Sequence, residues 1–98
     1  MRVAQVIGTV TLSRPHSSLK GARFALAVPL SLDNLIGGTD ATAEALVVYD
    51  ELGAAAGCQI SISEGREAAQ PFGDTMKPVD AYNAAILDQV DVDKEKPA

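Results

Sequence analysis

Short apolar runs with a period of two constrain the fold of this chain more than any other feature of its sequence. In Arg23–Leu30 the residues Phe24, Leu26 and Val28 fall on one face of an extended strand, because successive side chains of a strand point to opposite faces. This phase places Phe24 in the core with Leu26 and Val28. Four other runs have strand character: Val3–Leu12, Ala45–Tyr49, Gln59–Ser63 and Ala85–Val92. Five short strands at this spacing predict a small, mainly β domain that is an antiparallel barrel or a sandwich.

The runs themselves and the segments between them carry further local signals. Ala45–Tyr49 is apolar without a break, which predicts a strand buried on both faces. Gly8 lies in the middle of the first run, which favours a bulge, a tight bend or a close approach of another backbone. Glu64–Gln70 predicts a short helix ended by the proline that follows it. Asp80–Ala84 begins with an aspartate that can cap one helical turn.

Few large side chains are available to fill a core. The chain has 98 residues with two Phe, two Tyr and no Trp, so the core must be small and aliphatic. We expect one domain over residues 1–92 and a flexible, charged tail over 93–98. Cys58 is the only cysteine and His16 the only histidine, which leaves no intrachain disulfide and no recognisable zinc ligand set. Association between subunits remains as the means of stabilising such a core.

Charge is distributed unevenly along the chain. The formal net charge is −5 and the sequence pI is about 4.6, which disfavours non-specific binding to nucleic acid or to an anionic membrane. Every charged side chain before Asp33 is basic, whereas thirteen acids and four bases follow from Asp33 onward. Opposite signs can therefore meet within the fold or between subunits; plain solvated surface charge is the alternative. No stretch has the pattern of a signal peptide or a membrane span, and the cytoplasm is the expected compartment.

Residues with catalytic potential are few, and none has the partners that chemistry requires. His16 lies in a polar loop without a carboxylate or thiol partner in the sequence, which favours an exposed loop or interface histidine over a general base. Cys58 is interpreted as a small buried hydrophobe rather than a nucleophile. Asp50 and Glu51 are adjacent, so on a strand they point to opposite faces. We therefore predict no catalytic, cofactor-binding or metal-binding residue.

The glycine-bounded segment Gly53–Gly57 does not match a phosphate-binding loop. It lacks the GxGxxG pattern and the GK[ST] ending, and it precedes a strand rather than a helix. Its row of small residues is better suited to letting backbones pass close together, in a turn or around a symmetry axis.

Three segments, taken in order, resemble the EutN/CcmL family of pentameric vertex proteins of bacterial microcompartment shells. They are Arg2–Val10 with the loop Ser13–Gly21 and the strand Phe24–Pro29, then Val48–Gly57 continuing into Ile60–Ser63, then Pro78–Ala81 with Ile86, Leu87 and Asp88. The first is similar to the family's opening strand and its loop ending in Leu-Lys-Gly. The second is similar to its Asp-x-x-Gly-Ala-Gly-x-Gly loop, and the third to its closing Pro-Val-Asp-Ala pattern.

This resemblance implies a five-stranded barrel related to the oligonucleotide-binding fold, with one or two short helices, assembled as a cyclic homopentamer. It further implies a non-enzymatic structural role as the vertex cap of a microcompartment shell in the bacterial cytoplasm, with hexameric and pseudohexameric shell proteins as partners and no cofactor, nucleic acid or membrane. Because of its polarity and charge, the loop carrying Arg14, His16 and Lys20 is expected to meet neighbouring shell proteins. The loop residues Gly53, Ala54, Ala55 and Gly57 are expected near the five-fold axis or a subunit contact.

Two other classes of function remain as alternatives. A single-stranded nucleic-acid-binding module would use the same barrel, but it needs a positive groove and stacking rings. A small oligomeric enzyme would place His16 or Cys58 in a site between subunits.

Overall fold

A computed structural model describes residues 1–13, 17–19, 21–37, 39–73 and 79–92. Within these ranges the elements are β1 (Arg2–Val10), β2 (Phe24–Pro29), α1 (Leu32–Leu35), β3 (Leu46–Tyr49), β4 (Gln59–Glu64), α2 (Arg66–Ala69) and β5 (Ala81–Leu87), with 3₁₀ turns at Ser17–Leu19 and Gln70–Phe72. The strands close into a barrel in the order β1, β2, β3, β5, β4. The predicted mainly β, five-stranded barrel is confirmed.

The barrel is antiparallel along four of its five seams. Strands β3 and β5 run parallel and share one registered pair, Tyr49 with Tyr82. The register between β1 and β2 shifts between Val6 and Gly8, so the bulge at Gly8 is confirmed. The β3–β5 seam is therefore the shortest in the barrel, and side-chain packing has to support its closure.

The barrel interior is filled by small aliphatic side chains. Its buried cluster consists of Ala4, Val6, Ala25, Ala27, Val48, Ala54, Ile60, Ile62 and Ala81. Five of these nine residues are alanines, so the interior is narrow and contributes less apolar burial than a barrel filled with leucine or phenylalanine. The expectation of a small aliphatic core matches this packing.

Strand β2 presents the opposite face to the interior from the one predicted. Ala25 and Ala27 are fully buried inside the barrel, whereas Leu26 and Val28 are half-buried on the outer face. Phe24 is buried as predicted, with 6% exposure, but it lies outside the interior cluster. The prediction fails because period-two alternation defines two faces without identifying the inner one. On β2 the smaller side chains face an interior that already holds the larger Val6, Ile60 and Ile62.

Strand β3 is also not buried on both faces, as its unbroken apolar run had suggested. Val48 is fully buried and Tyr49 is 7% exposed, but Val47 is 46% exposed. Val47 pairs with Leu26 of β2, so the two strands share an outer face that is apolar.

The last strand begins earlier than predicted, and the helical turn expected over Asp80–Ala84 is wrong. Ala81 pairs with Glu64 and Leu87 pairs with Gln59, so β5 replaces both that turn and the first part of the run Ala85–Val92. Pairing with β4 outweighs the weak local signal of a capping aspartate. The carbonyl of Asp80 instead accepts a hydrogen bond from the Gly65 N–H at 2.9 Å.

The helices are short and lie between strands. The predicted helix after β4 is present as α2, although Pro71 does not stop the helical segment and instead lies in the 3₁₀ turn that follows; proline is tolerated in a first turn because its missing N–H has no partner there. Helix α1 was not predicted; Ser31 and Asn34 form its capping box. In the described residues no helix is long and apolar enough to cross a membrane.

Candidate functional site

The loop between β3 and β4, residues 50–58, passes over one end of the barrel. Strands β3 and β4 are not neighbours, so the chain must cross the barrel end to reach the next strand. Ala54 lies within the interior cluster at 0% exposure. At the far side the Gly57 N–H donates to the Val6 carbonyl at 2.8 Å and the Val6 N–H donates to the Cys58 carbonyl at 2.8 Å. The loop therefore closes this end of the barrel.

A single carboxylate holds this loop in place. The N–H groups of Leu52 and Gly53 donate to Asp50 Oδ1 at 3.0 and 3.1 Å, and the Ala54 N–H donates to Oδ2 at 2.8 Å. Asn83 Nδ2 on β5 donates to Oδ1 at 3.0 Å. An aspartate that accepts from the backbone ahead of it fixes a turn in this way. Asp50 therefore links the barrel-closing loop to the short β3–β5 seam.

Arg23 reinforces the same loop from its outer side. Its Nε lies 3.4 Å from Asp50 Oδ2, and its Nη2 donates to the Ala54 carbonyl at 3.0 Å. The arginine side chain is half-exposed, whereas the Asp50 side chain has no exposure. Burial raises the pKa of Asp50, but the hydrogen bonds from Asn83 and from three backbone N–H groups outweigh it, so the pKa lies below its ordinary value. The carboxylate is charged at neutral pH.

All four aromatic residues of the chain meet beside this loop, on the outside of the barrel. Tyr49 packs edge-on against Phe24 and Phe72, with ring centroids 5.3 and 4.9 Å apart, and stacks on Tyr82 at 6.1 Å. Phe72 and Tyr82 are 5.5 Å apart. Alternation places these rings outside, because their neighbours Ala25, Val48 and Asn83 are fully buried. This aromatic cluster (Phe24, Tyr49, Phe72, Tyr82) forms a second small core next to the β3–β5 seam.

Of the two loops predicted as contact sites, the structure describes the contact residues of the β3–β4 loop only. Gly53, Ala55 and Gly57 are exposed on the β3–β4 loop, whereas Ala54 is turned into the barrel. Arg14, His16 and Lys20 lie outside the described residues. The assignment of both loops to contacts stays a prediction.

The remaining residues that were weighed as catalytic candidates make contacts typical of structural residues. Cys58 is half-buried against the interior cluster. Asp50 and Glu51 diverge, since Asp50 is buried whereas Glu51 is exposed and accepts a hydrogen bond from Tyr82 at 3.3 Å. Among the residues that the structure describes, no group of three or more His, Cys, Asp or Glu could hold a metal ion.

Sequence reasoning missed the central role of Asp50. It weighed this aspartate chemically only as half of an acidic pair, and the Asp-x-x-Gly sequence from Asp50 to Gly53 entered only as part of the family resemblance. That spacing is typical of an aspartate that accepts hydrogen bonds from the backbone of its own turn. Asn83 offered no comparable signal, because its partner is 33 residues away.

Comparison with known proteins agrees with this architecture. The family described as ethanolamine utilisation protein EutN/carboxysome matches residues 1–88. The carboxysome shell vertex protein CcmL of Thermosynechococcus vestitus is 31% identical over 95% of this chain and 89% of its own length. The structure of Gloeobacter violaceus CcmL has a TM-score of 0.81 at 31% identity, covering 95% of this chain and 91% of its own. The pentameric microcompartment shell protein GrpN of Rhodospirillum rubrum has a TM-score of 0.75 at 28% identity, covering 94% and 98%.

The chain therefore belongs to the EutN/CcmL family. The relatives are similar over nearly their whole length as well as over nearly the whole of this chain. Their fold and the closed barrel described above are the same.

Proposed function

We propose that this protein is a vertex cap: a homopentamer that closes the polyhedral protein shell of a bacterial microcompartment. The observation that carries the proposal is the match over the whole barrel to relatives named shell vertex proteins and to a structure named as pentameric. Flat hexameric units tile a plane, so a closed polyhedron needs five-fold units at its corners. A barrel of this size supplies one-fifth of such a corner.

A five-membered ring uses heterologous contacts, in which one surface of each subunit meets a different surface of the next. This arrangement fits a protomer whose interior is filled mostly by alanine, because apolar surface buried between subunits adds to the stability that the narrow interior supplies. The role is structural and non-enzymatic, and the ring lies in the shell within the cytoplasm.

Two loops are proposed as contact regions within this role. The charged loop with Arg14, His16 and Lys20 meets the neighbouring hexameric shell proteins. The exposed part of the β3–β4 loop, Gly53, Ala55 and Gly57, lies at the axis or at a subunit contact. Rigid support from Asp50 favours this second assignment, because a fixed loop loses little conformational entropy on binding.

Absolute mass in solution tests the ring. Five copies of the 10.2 kDa chain give about 51 kDa, and light scattering at micromolar protein should find this mass. A monomer or dimer at that concentration would contradict the proposal.

Shell closure tests the vertex role separately. Co-expression with a hexameric shell protein from the same organism should give closed polyhedral particles in electron microscopy, whereas omission of this protein should leave tubes or open sheets. In the triple variant Arg14→Ala, His16→Ala, Lys20→Ala, the ring mass should be retained while closure is lost. Ala55→Lys should instead reduce the ring mass. Closed particles formed equally well without the protein would exclude the vertex role even if the ring exists.

A further inference from the structure

Strand β2 places its larger apolar side chains on the outside of the barrel. Ala25 and Ala27 fill the interior, while Leu26 and Val28 lie on the outer face. Burying a leucine or valine side chain contributes about 1.5–3 kcal/mol, so a protomer that functions alone has the opposite preference. Cross-strand pairing places Val47, which is 46% exposed, directly beside Leu26. We name Leu26, Val28 and Val47 the outer apolar face.

Among the described residues, the same outer surface is covered most completely at one end. Two residues along from Val47, Tyr49 is buried beneath Phe72, which the segment after α2 brings over the barrel. Val47 retains nearly half its exposure. The outer surface of β2 and β3 is therefore apolar along its length. Within the described residues the aromatic end is buried, Leu26 and Val28 are half-buried, and Val47 is left exposed.

Gly8 adds an independent sign that something approaches this face. It pairs with Leu26 across the β1–β2 seam. Gly8 adjoins the bulge after Val6, but of the glycines the structure describes it alone lacks a positive φ, and a Cβ built on it meets no described atom within 4 Å. Neither the bulge nor packing among the described residues therefore requires a glycine here. A glycine in a strand often marks a close approach of another backbone.

We propose that the outer apolar face, together with the bare backbone at Gly8, is the surface through which each subunit contacts the next copy of this chain. This inference rests on the proposed ring and identifies one of the two surfaces that such a ring requires. The three side chains of the face are apolar, with Asp80 lining the same shallow depression as Val47 at its border. The face therefore fits a mainly apolar surface of the neighbouring subunit better than a charged partner. The neighbour contributes a different surface, as five-fold closure demands.

The substitution Val47→Lys tests the inference most strongly. Val47 is exposed in the protomer, so the fold tolerates a lysine there, whereas a subunit interface would have to bury its charge. We expect the mass to fall from about 51 kDa toward 10.2 kDa at micromolar protein, with an unchanged circular dichroism spectrum. Val47→Thr is the matched control, because it changes the same exposed position and keeps the branched shape without adding a charge; it should keep the mass at about 51 kDa.

The substitution Gly8→Val separates an interface from a structural role. A valine favours a strand more than glycine does, and its Cβ would meet no described atom within 4 Å. The midpoint of urea unfolding, measured at a protein concentration at which the ring is dissociated, should therefore stay the same or rise. The ring's dissociation constant should nevertheless increase at least tenfold. If both Val47→Lys and Gly8→Val keep the wild-type mass while the wild type is a pentamer, the interface assignment is wrong and the vertex role stands. A monomeric wild type would overturn both.

Discussion

Val47 and Tyr49 lie two residues apart on the same outer face of strand β3, yet their surroundings differ completely. Tyr49 is 7% exposed and packs on three other rings, whereas Val47 is 46% exposed. Tyr49 is covered within the protomer by Phe72 of the segment Gln70–Phe72. Val47, in our proposal, is covered by another subunit.

The contrast between Tyr49 and Val47 predicts that substitutions at the two positions affect different quantities: the stability of the folded subunit and the stability of the ring. Substitutions of Tyr49 and Asp50 themselves should act first on unfolding of the protomer, because both side chains are buried by residues of the same chain. Substitutions around Val47 should act on assembly. Protein concentration distinguishes the two effects, since dilution weakens the ring without changing the intrinsic stability of a protomer.

The largest expected effect comes from removing the central ring of the aromatic cluster. Tyr49→Ala should lower the free energy of unfolding by about 3–5 kcal/mol, which is typical for a large buried side chain cut back to alanine. Urea unfolding at a fixed low protein concentration measures this change.

Val47→Ala is the matched control, two residues away on the same strand face. Its effect on protomer unfolding should be below about 1 kcal/mol, because the side chain is already half-exposed. If Tyr49→Ala and Val47→Ala lowered the free energy of unfolding equally, the distinction between the buried Tyr49 and the exposed Val47 would be contradicted.

The next effect concerns the carboxylate under the β3–β4 loop. Asp50→Asn should lower the free energy of unfolding by about 1.5–3 kcal/mol, because it weakens hydrogen bonds to a charged acceptor. It leaves the loop's length and the Asn83 side chain unchanged. Urea unfolding at pH 7 measures the loss. The conservative variant Arg23→Lys should lose less, because Arg23 is half-exposed and its ion pair with Asp50 is screened by solvent. A greater loss for Arg23→Lys would contradict the central role assigned to Asp50.

Acid should remove the same contribution from the wild type. The pKa of Asp50 is lowered in the folded state, so its stabilisation is present above the unfolded value of about 3.9 and is lost as the pH falls through the folded value. Unfolding curves measured from pH 6 downward should therefore converge for the wild type and Asp50→Asn at low pH. A difference that stayed constant throughout would show that the carboxylate is not the titrating group.

The sequence was sufficient to predict β1 to β4 and the last three residues of β5, but not the faces that the strands present. Alternation in Arg23–Leu30 correctly located β2, yet the larger side chains Leu26 and Val28 were assigned to the interior. The preference for burying large apolar groups misleads here, because β2 turns Ala25 and Ala27 toward the barrel interior instead. The departure from that preference is what makes β2 informative about assembly.

Long-range pairing explains the remaining errors. Asp80 has the local features of a helix cap, but Ala81 is recruited to β4 by a ladder that begins at Glu64, seventeen positions earlier. Asp50 is predictable as a turn former from its Asp-x-x-Gly spacing, but its bond to Asn83 joins residues 33 positions apart. Only the closed barrel brings such residues together, and the motif resemblance succeeded because it covered most of the chain at once.

The smallest effect should come from the polar edge of the aromatic cluster. Burial, followed by the nearby Glu51 carboxylate, raises the pKa of Tyr82, and its hydroxyl donates to Glu51 at 3.3 Å on the exposed side. A long, exposed hydrogen bond contributes little, so Tyr82→Phe should change the free energy of unfolding by less than about 0.5 kcal/mol. Tyr82→Leu, which also removes the ring contacts with Tyr49 and Phe72, should cost about 1–2 kcal/mol more. Because Phe keeps those contacts, a large loss for Tyr82→Phe would mean that the bond to Glu51, and not ring packing, holds β5 against β3.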